Sequence, residues 1–66
     1  MNLIEGLAQE IKRVTGVRQH YLEVGPAGAL AAAMMQAELD NAVIIMGSGD
    51  VLQMMRVYES LKGFQD

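Results

Sequence analysis

Gly25 to Gly47 reads GPAGALAAAMMQAELDNAVIIMG, and the reading of this stretch decides the fold. At about 100° per residue its apolar side chains do not keep to one side of a helix. Leu30, Met34 and Ile45 point one way, Met35, Leu39 and Met46 another, and Ile44 a third. Only a narrow strip through Gln36 and Asp40 suits water. A helix apolar nearly all round is one that is covered nearly all round, so the stretch predicts a central helix with more apolar surface than a short chain can bury. Small residues from Ala27 to Ala33 would let another helix approach closely.

Working outward, Gly25-Pro26 separates this helix from what precedes it. Glycine readily ends a helix, and proline suits the first position of the next because its missing N–H would be unpaired there. The preceding segment opens on a capping box, NLIE at Asn2 to Glu5, which predicts a helix from Leu3. Ile4, Leu7, Ile11, Val14 and Tyr21 recur at helical spacing as one seam. Gly6 and Gly16 each cost up to about 1 kcal/mol relative to alanine, and a bend near Thr15-Gly16 is compatible with the pattern. The reading keeps one helix to about Val24. The connection to the central helix is short, so the two helices either fold back as an antiparallel hairpin or meet at a wide angle as in helix-turn-helix units; the hairpin is the expectation.

Beyond Gly47, Asp50 predicts a third helix cap with Gln53 in the capping-box position. Val51, Met54, Met55, Tyr58 and Leu61 share a face, and Lys62 suits the negative end of the helix dipole. Gly63 is expected to supply a left-handed stop, with Phe64 folding back onto Tyr58.

These elements make residues 1–66 one small all-α domain of three helices, a hairpin with a shorter third helix packed across it. A domain of this size buries only about 60% of the surface its unfolded chain exposes. The chain has no cysteine and a single histidine, so disulfide and soft-ligand metal stabilisation are not available, and oligomerisation remains. A homodimer through the central helix is the expectation.

A net charge of −3 argues against non-specific nucleic-acid binding, which depends on lysine and arginine neutralising phosphates. Lys12, Arg13 and Arg18 cluster, but Glu10 sits among them. A helix-turn-helix DNA-binding or transcription-modulating module is the alternative reading. It lacks a basic recognition helix: the second helix has no Lys or Arg and the third has Arg56 and Lys62 alone. Met1 to Lys12 carries glutamates instead of a basic export leader. The longest unbroken apolar run, Ala29 to Met35, is far below the roughly 20 residues that cross a bilayer. No membrane partner and a cytoplasmic location are expected.

Catalysis and cofactors find little support. His20 and Glu23 could move a proton, but Thr15, Ser48 and Ser60 are the only aliphatic hydroxyls and none lies near them in sequence. Glu38 and Asp40 diverge on a helix and do not make a metal site. The segment AVIIMGSGD, Ala42 to Asp50, has the strand, glycine turn, helix order of a phosphate loop. It resembles the opening of N5-carboxyaminoimidazole ribonucleotide mutase at Ile44, Ile45, Met46, Gly47, Ser48 and Asp50. In that family the motif closes the first strand of a full parallel sheet. Here some forty helix-like residues precede it, and there is no room for the crossovers such a sheet needs. The segment reads instead as a helix stop and a capped helix start.

Met34-Met35, Met46 and Met54-Met55 fill a core or form an adaptable docking surface. The expected interaction face is Met34, Met35, Leu39, Ala42, Ile45 and Met46. The side around Met35, Leu39, Ala42 and Met46 most needs a second molecule. HY-x3-GPAG at His20 to Gly28, the methionine pair, SGDV at Ser48 to Val51 and the M-x3-Y-x2-L-x2-F ending at Phe64 resemble short bacteriophage and prophage proteins of unassigned function. That resemblance implies a small non-enzymatic factor that binds a host or phage protein. Itself and one other protein are the expected partners, and no cofactor is expected.

Overall fold

The computed structural model describes residues 2–65 and is all-helical: α1 (Leu3–Glu23), α2 (Pro26–Ser48) and α3 (Val51–Lys62). The helix starts follow from their caps. The Asn2 side chain accepts from the Glu5 N–H at 2.8 Å, and Glu5 answers by accepting from the Asn2 side-chain amide at 3.3 Å. Asp50 accepts from the Gln53 N–H at 3.1 Å. Each side chain thereby pairs a backbone N–H that has no partner inside its helix. Thr15-Gly16 does not break α1, where the Thr15 hydroxyl bonds to the Ile11 carbonyl one turn back at 2.7 Å.

Gly25 carries φ 90°, a backbone region that residues with a Cβ rarely enter, and Pro26 opens α2 directly after it. The chain therefore reverses within two residues, and α2 returns along α1. The closest approach is at Gly28. A Cβ there would stand 2.8 Å from the carbonyl carbon of Tyr21 and 3.2 Å from its Cα. Of the small residues at the start of α2, Gly28 is the one the hairpin requires.

α3 runs parallel to α1 and antiparallel to α2. At one end Asn2, Leu3 and Ile4 line a cleft together with Gly49, Val51 and Met54. At the other, Arg13 and Tyr21 of α1 hold the backbone that follows Leu61. The bundle measures 36 × 20 × 15 Å, its long dimension set by α2, about 34 Å at 1.5 Å per residue. Leu7, Val14 and Val17 of α1, Met35, Leu39 and Ala42 of α2, and Met54, Val57 and Leu61 of α3 form the core.

Several edges of the expected seams are corrected. On α1, Ile4 is 53% exposed while Leu3 packs against the core and Val17 is buried in it. On α3, Val51 and Met55 are exposed and Val57 takes the buried position. Gly63 is not left-handed, with φ −72°; the left-handed stop is Gly49, φ 75°, and it ends α2 one residue later than expected. Phe64 packs beside Tyr21 of α1 and Ala31, Met34 and Met35 of α2, in the cleft at the far end of the bundle.

Candidate functional site

The central helix carries two apolar stripes at identical spacing. Gly28, Ala32, Met35, Leu39, Ala42 and Met46 recur in alternating steps of four and three, and so do Leu30, Met34, Ala37, Asn41, Ile44 and Ser48. Steps of this kind hold a row of side chains on one face of a helix. The first stripe faces inward: Gly28 to Ala42 are buried and Met46 is half-buried against the core. Every member of the second is exposed. Gln36 and Asp40, the strip expected to face water, are exposed, with the Gln36 amide donating to Asp40 at 2.7 Å.

This division buries much of the expected interaction face within the chain. Met35, Leu39 and Ala42 are 2%, 5% and 0% exposed, covered by α1 and α3 of the same chain, and are unavailable to a partner. Ile45 and Met46 are half-buried against the same core. Of the six, Met34 alone is exposed, at 57%. The side expected to need a second molecule is the side the chain covers for itself. The exposed large apolar side chains of α2 are Leu30 at 74%, Ile44 at 72%, Val43 at 58% and Met34, and of these Val43 alone lies off the outer stripe. A second row of the same spacing, through Leu30, Met34 and Ile44, is present in the sequence, but nothing there says which row turns inward.

The glycine-rich segment forms a helix junction. Val43 to Met46 are helical, so no strand leads into it. The Ser48 hydroxyl donates to the Ile45 carbonyl at 2.6 Å and accepts from the Asp50 N–H at 3.1 Å. The Gln53 N–H goes to the Asp50 carboxylate and the Met54 N–H to the Asp50 carbonyl at 2.9 Å. The Asp50, Gln53 and Met54 N–H groups are thereby engaged within the junction itself.

Of the basic cluster, Arg13 is taken up in structure, while Lys12 lies exposed. Arg13 pairs with Glu10 at 3.0 Å and donates to the Leu61 and Phe64 carbonyls. Arg18 lies half-buried, its Nε withdrawn from solvent without a hydrogen-bond partner. His20 and Glu23 lie exposed in the last turn of α1. Among the described residues no group of three His, Asp or Glu converges as a metal site. The clefts at the two ends of the bundle, about 350 and 420 Å³, are open, and neither is lined by a charged side chain.

Comparison with protein-family models, with curated proteins and with solved structures finds no match to this chain.

By length and composition α2 could cross a membrane, its most apolar window having a mean hydropathy of 1.3. Glu38 and Asp40 fall near its middle, where a charged side chain costs about 2.5–3.5 kcal/mol on insertion scales. Its inner stripe is moreover engaged by α1 and α3. The geometry suits a helical face presented to another apolar surface, with its back held by the bundle.

Proposed function

We propose that this chain is a small non-enzymatic interaction factor that binds protein, its own copy or another, through the outer face of α2, around Leu30, Met34 and Ile44. The observation that carries the reading is the exposure of Leu30 and Ile44, 74% and 72%, on a helix with no compensating charge along that stripe. Exposed apolar side chains aligned in this way, rimmed by polar groups such as Gln36 and Asp40, are a feature of interaction sites. The adaptable thioether of Met34 suits an irregular partner. The resemblance of the HY-x3-GPAG and SGDV segments to short phage and prophage proteins supports a phage-encoded accessory role in the host cytoplasm.

The test is affinity purification from the cells that make the protein, with wild type and Ile44→Glu compared side by side. A defined partner recovered by wild type and lost from the variant is expected. Recovery that does not depend on Ile44 would remove the outer face from the mechanism.

A further inference from the structure

We propose that the outer stripe of α2 is the interface of a parallel, in-register homodimer, in which Asn41 of one copy faces Asn41 of the other. The inference rests on the reading of that stripe as a binding face and names its occupant. The positions Leu30, Met34, Ala37, Asn41, Ile44 and Ser48 are those of a coiled-coil seam, and they run from near the first turn of α2 to its last residue. A second copy brings a seam of the same length, spacing and side-chain size.

Asn41 selects this occupant over hydrocarbon or an unrelated apolar helix. It stands in mid-seam with its side chain exposed. Pressed against an apolar surface, its amide would lose water without gaining a partner, at the full cost of desolvation. Against its own copy the amide donates and accepts at once. A single asparagine at such a position is a device that sets register and strand number in parallel pairs.

Charge selects the direction. α2 has no Lys or Arg, and its only charges, Glu38 and Asp40, flank the seam on opposite sides. With two copies parallel and in register, the flanking positions bring Asp40 opposite Ile45 and Glu38 opposite Ala33. Reversed at full overlap, they bring Asp40 to Asp40 and Glu38 to Glu38, placing like charges at the edge of an apolar contact.

The test is sedimentation equilibrium on the whole chain at micromolar concentration. Wild type is expected at twice the 7.2 kDa chain mass. Ile44→Glu, at an exposed position, is expected at the mass of one chain with its far-UV helicity unchanged. Because the chain has no cysteine, direction can be read from single-cysteine variants under mild oxidation. Leu30→Cys and Ser48→Cys should each link only to themselves, even when mixed. Cross-links between the two variants would overturn the parallel arrangement, and a dimer that survives Ile44→Glu would overturn the interface. A wild-type chain that stays monomeric while Ile44 governs capture of another protein would overturn self-pairing and leave the interaction reading standing. Monomer that co-sediments with phosphatidylcholine vesicles in an Ile44-dependent way would assign the face to a lipid surface instead.

Discussion

Arg13 Nη2 donates to the carbonyl oxygen of Leu61 at 2.9 Å, across 48 residues of sequence. Nη1 of the same guanidinium donates to the Phe64 carbonyl at 2.8 Å, and Glu10 braces it from one turn earlier on α1. The last carbonyls of a helix have no partners within it. Here a side chain of α1 supplies them, and the Tyr21 hydroxyl extends the clamp by donating to the Gln65 carbonyl at 3.0 Å. α3 has 12 residues, a length at which an isolated helix is marginal in water. Its end is therefore stabilised by α1 as well as by its buried face.

Replacing Arg13 with alanine removes both carbonyl contacts. The expected cost is about 1–3 kcal/mol, and thermal melting should fall by about 4–8 °C for each kcal/mol. Amide exchange should quicken at Gly63 and Phe64, whose N–H groups close the last turn of α3. A melting temperature within a degree of wild type would show that solvent serves those carbonyls equally well.

Two glycines on opposite ends of the steric scale should respond in opposite directions to alanine. Gly28→Ala drives a methyl group into the Tyr21 carbonyl and should destabilise by about 1–3 kcal/mol as the helices are forced apart. Gly16→Ala meets nothing within 4 Å in the middle of α1 and should stabilise by about 0.4–1 kcal/mol. Urea denaturation of the two variants provides the comparison.

The two stripes of α2 should also separate cleanly. In an Ile44→Glu background, which removes any contribution from association, Leu39→Ala should cost about 2–5 kcal/mol because it empties a buried site. Leu30→Ala, at a site 74% exposed, should stay within about 0.5 kcal/mol. A larger loss from Leu30→Ala than from Leu39→Ala would mean that the inward and outward faces have been exchanged.

At the α2–α3 junction, Asp50→Ala should cost about 1 kcal/mol by unpairing the Gln53 N–H. Gly49→Ala should cost about 1–2 kcal/mol, because φ 75° is unfavourable for a residue with a Cβ. Circular dichroism melts of the singles and the double would show incomplete additivity, since both changes loosen the same turn.

Helix number and helix starts were legible in the sequence because they depend on neighbours in the chain, whereas the C-terminal stops at Gly49 and Gly63 were not. Asn2 and Asp50 find N–H groups three residues away, and Gly25-Pro26 forces a reversal whatever lies around it. The edges of the seams were less legible. Ile4 against Leu3, or Met55 against Val57, differ by one or two residues in angle around the helix, and only the position of the neighbouring helix decides which is covered. The same holds more strongly for α2. Its sequence alone determined that more apolar surface was present than one chain would hide, and that this surface lay on more than one side. Which stripe turned inward was decided by tertiary structure. The two share one spacing, but only the stripe containing Gly28 lets the backbone of α1 come close enough for Tyr21 to pass. That contact rotates Met35, Leu39 and Ala42 into the core and leaves Leu30, Met34 and Ile44 on the outside.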